Sequence, residues 1–262
     1  MTSDRWSDLK ARLLSSIVMV GLAVVAIWFG GFIFALFVTA LVAAMHWELA
    51  RMLSPLSRQA KWLSPIFSVL VLINLTGFIL PPISLPLTIL VGAALQAWFF
   101  MSYRFLGAFY SSLIILAGLI LIFARLFYGV TPIIWILAVV VVTDIFGYFA
   151  GRLIGGPKFW PRISPKKTWS GVVAGWIGAV GVSVILSPFV TAYDINLIAL
   201  CALGISVSFA SQLGDIFESF IKRKSGVKDS SRLIPGHGGI LDRMDGVITA
   251  TIVFAIFSVV WL

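Results

Sequence analysis

The residues best suited to chemistry lie between positions 211 and 246. Asp215, Ser219 and Lys222 are spaced i, i+4 and i+7, so a helix presents them on one face, with Glu218 beside that stripe. A carboxylate, a hydroxyl and an ammonium in a line suit a metal-bound phosphate. The carboxylate holds Mg²⁺, the hydroxyl completes its shell or bonds phosphate, and the lysine neutralises phosphate oxygens. A solvated helix end gives the same spacing. Further on, Pro235, Gly236, His237, Gly238 and Gly239 form a tight loop whose backbone N–H groups can face an anion. The loop leads into an apolar helix whose N-terminus also favours phosphate. Asp242 and Asp245 are three apart there, so both carboxylates can reach one ion, although acidic residues also suit the dipole of a first helical turn. Asp245 opens a membrane-length apolar run, where a carboxylate is costly without a partner. His237 is open to three roles: phosphate contact, acid or base, or a solvated loop residue.

A further constellation lies upstream. Asp144 sits late in an apolar helix with Tyr148 at i+4, and Gly147 and Gly151 allow close backbone approach. A buried carboxylate in such a helix marks a functional site or an interhelical hydrogen bond. The following loop is basic. Lys166 and Lys167, before Thr168, are placed to grip a triphosphate, whereas Arg152, Lys158 and Arg162 are read as positive-inside charge. The pattern G-x-x-x-x-G-K-[ST] is absent, so this is not a P-loop. From the residues alone, the chemistry is that of a transferase acting on a phospholipid or polyprenyl phosphate with a nucleotide.

Something must hold these groups at one surface, and composition says it is a membrane bundle. Of the 262 residues, 60% are hydrophobic and only 11% charged, far below the quarter typical of soluble domains. Mean hydropathy is +1.08. Lipid must therefore be the solvent for much of the surface. Apolar stretches at about 13–29, 32–48, 62–79, 84–101, 106–124, 131–150, 171–188, 195–217 and 242–262 predict an all-α polytopic protein of about nine transmembrane helices. Breaks fall at Gly30-Gly31, Pro55, Pro81-Pro82, Gly129 with Pro132, Gly155 to Pro157, Pro188 and Gly236 to Gly239. With the N-terminus in the cytoplasm, every lysine and arginine except Arg125 falls on the cytoplasmic side. That asymmetry accounts for the net charge of +9, so no nucleic-acid partner is expected. The polar residues 1–12 followed by an apolar run predict a retained first helix, not a cleaved signal. Cys201 is a packing residue with no partner for a disulfide.

Acidic residues divide the chain. Residues 1–140 hold only Glu48 beyond the N-terminal tail, whereas 141–245 hold seven, Asp194 alone of them on the exported side. One membrane domain over 1–262 is expected, with 1–140 as helical scaffold and 141–262 as the catalytic part.

The stretch from Ser219 to Asp245 resembles the signature of the phosphatidate cytidylyltransferase (CDP-diacylglycerol synthase) family. Both the S-x-x-K-R-x4-K-D spacing and the P-G-H-G-G-x-x-D-R-x-D ending are present. The upstream T-D-x-x-x-Y-x-x-G, S-P-K-K-T-x-x-G and S-Q-x-G-D elements are similar to that family too, so the resemblance covers about the C-terminal half. It implies condensation of CTP with phosphatidate to CDP-diacylglycerol and pyrophosphate, with Mg²⁺ and, in some members, a monovalent cation such as K⁺. By motif position, Asp215, Asp242 and Asp245 would be metal carboxylates, and Ser219 and Lys222 would contact metal and phosphate. Arg223, Lys228, His237 and Arg243 would surround nucleotide or lipid phosphate, and Asp144, Lys166 and Lys167 would complete the pocket. The resemblance also implies a bacterial inner membrane, an active site facing the cytoplasm, and the possibility of a homodimer.

Three rivals are set against it. A CDP-alcohol phosphotransferase needs D-G-x2-A-R…G-x3-D-x3-D, which is absent. A CTP-dependent polyprenol kinase would differ in product. A transporter would need charges near the bilayer midplane, whereas the acidic residues here gather at one face.

Overall fold

A computed structural model describes residues 2–76, 92, 94, 98–100, 103–190 and 195–261. Eight helices are present among them: α1 (Thr2–Phe29), α2 (Gly31–Leu53), α3 (Arg58–Thr76), α4 (Arg104–Tyr128), α5 (Thr131–Leu153), α6 (Trp169–Val190), α7 (Leu197–Lys224) and α8 (Leu241–Trp261). Six of these, α1, α2 and α4 to α7, are long and apolar enough to cross a membrane. The protein is thus an all-α polytopic membrane protein. Each helix contains or closely matches one expected span; the span expected at 84–101 falls largely outside the described residues, as does Asp194. α1 starts at Thr2, well before its apolar run, so the polar N-terminal segment is helical. One element is additional: a short antiparallel hairpin of β1 (Lys158–Trp160) and β2 (Ser164–Thr168) between α5 and α6. Its strands have no alternating pattern and contain Pro165, which hides them from periodicity.

The chain divides into two compact units: residues 1–126 with 225–243, and 127–224 with 244–262.

In the first unit, α2 packs on α3, and Gly118 of α4 lies against Val42 of α2, where a Cβ would come within 2.7 Å of a valine methyl. Val42, Leu49, Leu72, Tyr110 and Ile114 form its fully buried core. α2 stops before Pro55, and Ser57 caps α3 by accepting the Ala60 N–H at 3.1 Å. Arg125 has a structural role: its guanidinium donates to the carbonyls of Ile27 (2.8 Å) and Trp28 (3.2 Å) in the last turn of α1. A cation suits that C-terminal dipole end. Along the middle of α1, Leu13, Leu14, Ile17 and Val18 are exposed, as expected of a lipid-facing surface.

In the second unit, glycines set the helix spacing. Gly171, Gly175 and Gly178 of α6 lie on one stripe against α5. A Cβ would sit 2.6 Å from the Gly147 carbonyl at the first and 2.8 Å from a Val142 methyl at the third. Such close approach substitutes dispersion contacts for a hydrophobic drive that lipid does not supply. Gly147 and Gly151 both take part in close contacts, Gly151 with Thr168. Between α7 and α8, Gly214 lies against Asp245 and Thr249, and Thr249 donates to the Ala210 carbonyl at 2.7 Å.

Candidate active site

The close approach at Gly214 has a chemical consequence. It sets the C-terminal residues of α7 beside Asp245 of α8, and oxygens of Asp215, Glu218 and Asp245 all lie within 4.8 Å of one another. Glu218 is fully buried and the two aspartates half-buried. Carboxylates gathered in so little water repel one another unless cations stand among them. Two lysines do. Lys222 meets Glu218 at 2.5 Å from the next helical turn, and Lys167, carried by β2, meets Asp215 at 2.5 Å. Ser219 donates to Asp215 at 3.3 Å. Ser219 and Lys167 therefore hold Asp215, and Lys222 holds Glu218, the buried member of the cluster.

Beside the cluster opens a cleft of about 380 Å³. Asp144, Tyr148, Lys166, Lys167, Gln212 and Asp215 contribute its polar lining. Asp144 is exposed to this cleft, not buried, because α5 turns its late residues outward there. The hairpin explains the lysines: β2 runs along the cleft and presents both, and Lys167 also donates to the Gln212 carbonyl at 3.3 Å.

The glycine loop belongs to the first unit, and its anion-binding potential is already used internally. The N–H groups of His237 and Gly238 donate to the Ile234 carbonyl at 3.0 and 3.2 Å. That of Gly239 donates to Asp242 at 2.8 Å. Asp242 also accepts from the Ser230 N–H at 3.0 Å and its hydroxyl at 2.9 Å. Asp242 thus fastens the loop, and among the described residues the cluster of three carboxylates is Asp215, Glu218 and Asp245. The physical reason is position: Asp242 lies in the first turn of α8, where loop N–H groups lack helical partners.

The N-terminus of α8 is occupied as well, by a residue from the N-terminal half. Glu48 of α2 is fully buried. It accepts from the N–H groups of Ile240 (2.9 Å) and Leu241 (2.6 Å), and from the hydroxyls of Ser231 (2.5 Å) and Ser230 (3.3 Å). The helix end expected to attract a substrate phosphate is capped by the protein's own carboxylate. Glu48→Ala strands several buried donors, each costing about 1–3 kcal/mol. It should lower the melting temperature in detergent by well over the shift from Glu48→Gln, which keeps one acceptor. Equal melting of both variants would show that the loop does not depend on this cap.

Lys228, His237 and Arg243 gather around a second basic cleft, of about 600 Å³, which Arg12 and Arg232 also line. The His237 ring is held by α1, with Ser15 Oγ 2.9 Å from Nδ1 and Ser16 Oγ 3.1 Å from Nε2. Arg243 donates to the His237 carbonyl at 2.6 Å. Arg223 is exposed at the end of α7 and lines neither cleft. Glu48, Glu218 and Arg12 were not expected as site residues. The signal for Glu48 was its isolation, as the lone carboxylate in an otherwise apolar half.

The family model described as "Cytidylyltransferase family" matches residues 10–261. The chain is 35% identical to "Phosphatidate cytidylyltransferase" of Brucella abortus, covering 97% of this chain and 95% of that protein. It is also 35% identical to the protein of that name from Rickettsia bellii, over 74% of this chain and 81% of the relative. A third, from Haemophilus influenzae, is 40% identical over about half of each chain.

Proposed function

The chain belongs to the cytidylyltransferase family, and from that premise we propose how its residues carry out the reaction, in which CTP and phosphatidate give CDP-diacylglycerol and pyrophosphate. A phosphatidate oxygen forms a bond to the α-phosphorus of CTP, and the bond from that phosphorus to the bridging oxygen of the β-phosphate breaks. The attacking oxygen is already anionic at neutral pH, so no strong general base is needed. Positioning and charge neutralisation supply the rate.

The observation that carries this assignment is the cluster of Asp215, Glu218 and Asp245 with its two lysines. Oxygen donors on one Mg²⁺ at 2.0–2.1 Å lie at most about 4.2 Å apart. Carboxylates within 4.8 Å reach that spacing by small side-chain rotations. Three hard oxygen donors fit Mg²⁺ by chemistry as well as by size. When bound there, Mg²⁺ would polarise phosphoryl oxygens and offset their charge. In some members of the family that the chain resembles, a monovalent cation such as K⁺ is implicated as well. Lys166 and Lys167 grip the triphosphate in the adjoining cleft. Lys222 holds Glu218 in place and adds positive charge where the leaving pyrophosphate gains negative charge. Lys228, Arg243 and the His237 loop form the second, basic cleft for a substrate phosphate.

The protein resides in a membrane. We place it in the bacterial inner membrane on the strength of the family resemblance, and its N-terminus and both clefts on the cytoplasmic side on the strength of the positive-inside pattern.

The direct test supplies purified protein with labelled CTP and phosphatidate. Labelled CDP-diacylglycerol with release of pyrophosphate is the expected result. Transfer of a single phosphate to a polyprenol, with CDP released, would instead assign a kinase.

A further inference from the structure

We propose that the basic cleft between α1 and the glycine loop binds the phosphate monoester headgroup of phosphatidate, and that Arg12 is one of its binding residues; this rests on the cytidylyl-transfer reading and goes beyond it by assigning this cleft to the lipid. Charge is the first reason. Arg12, Lys228, Arg232 and Arg243 line a space of about 600 Å³, against one carboxylate, Asp229. A phosphate monoester carries about −1.5 to −2 at neutral pH, so it gains most from several converging cations. The backbone of the loop does not compete for it, since the N–H groups of His237, Gly238 and Gly239 are already engaged within the loop. Recognition in this cleft therefore falls to side chains.

The second reason is that α1 is held in register with the loop. Gly236 adopts φ 76°, and a Cβ there would come within 2.5 Å of Arg12 Cγ. The aliphatic stem of Arg12 thus lies on a position that only glycine fills without strain. One turn later, Ser15 donates to the Pro235 carbonyl at 3.0 Å, and Ser15 and Ser16 hold both nitrogens of the His237 ring. These contacts set Arg12 at the cleft wall.

The third reason is access from lipid. Leu13, Leu14, Ile17 and Val18 follow Arg12 along α1 and are 63%, 65%, 60% and 51% exposed. On a membrane-spanning helix that surface meets acyl chains. A substrate with two acyl chains and a terminal phosphate can reach Arg12 while its tails stay in the bilayer. CTP, wholly water-soluble, gains nothing from such a surface.

The test uses full-length protein in mixed micelles with dioctanoyl phosphatidate and CTP as the two probes. Arg12→Ala should raise KM for dioctanoyl phosphatidate about tenfold, the scale of one charge-assisted hydrogen bond, with KM for CTP unchanged. Arg12→Lys should fall between. At one fixed concentration, dioctanoyl phosphatidate should raise the melting temperature of the wild type more than that of Arg12→Ala, whereas stabilisation by CTP with Mg²⁺ should be equal in both. An unchanged KM for phosphatidate, or an equal rise in KM for CTP, would overturn the proposal. If Arg12→Ala does not fold, Arg12→Lys and Arg232→Ala make the same comparison between the two probes. A wild type that makes no CDP-diacylglycerol would refute the reaction itself. The melting comparison with phosphatidate would still decide whether the cleft takes a lipid phosphate.

Discussion

Asp215→Asn and Asp245→Asn are each expected to cut turnover at least a hundredfold and to shift the Mg²⁺ dependence to higher concentration. Asparagine keeps the size of aspartate and removes its charge, so the loss isolates the electrostatic contribution. A metal-bound carboxylate supports several kcal/mol of transition-state charge stabilisation, of which about 3 kcal/mol corresponds to a hundredfold in rate. Stability should not fall with activity. Each substitution removes one negative charge from a crowded set in which Glu218 is fully buried, which relieves repulsion in the folded state. Turnover against Mg²⁺ concentration, together with melting temperature, checks both halves. A variant that loses stability in proportion to its activity would make these carboxylates structural.

Lys222→Met is expected to lose activity by roughly ten- to a hundredfold, the range set by one strong charge-assisted contact. It should also lower stability. Lys222 is buried and lies 2.5 Å from the fully buried Glu218. Removing one partner of a buried pair is far more costly than removing both. The double variant Lys222→Met/Glu218→Gln should therefore recover most of the lost stability and none of the lost turnover. Recovery of both would reduce Lys222 to a counter-ion for Glu218. Recovery of neither would place its role in the packing of α7.

These expectations show which parts of the molecule could be read from the chain. Helices were legible because apolar stretches of membrane length are an unambiguous signal, and helical spacing pairs Ser219 with Asp215 and Lys222 with Glu218 on α7. The hairpin was not legible, since five residues with a proline carry no period. Glu218 was seen only as a neighbour of the polar stripe. Its burial depends on how α7 packs, which spacing along one helix does not determine. Asp242 and Glu48 show the deeper limit. Asp242 and Asp245 are three residues apart and look equivalent, yet one fastens a loop and the other joins the carboxylate cluster. Glu48 caps a helix that begins 193 residues later. Both outcomes depend on which backbone donors are left unsatisfied after folding, and no local pattern records that.

Under the proposed function, Asp215, Glu218 and Asp245 hold the divalent cation, and Asp242 fastens the glycine loop. Mn²⁺ binding to the purified protein, followed by electron paramagnetic resonance, tests it without reference to turnover. Wild type and Asp242→Asn should bind one Mn²⁺ with similar affinity, and Asp215→Asn/Asp245→Asn should lose that site. Unchanged binding in the double variant, or loss of the site in a folded Asp242→Asn protein, would contradict the account.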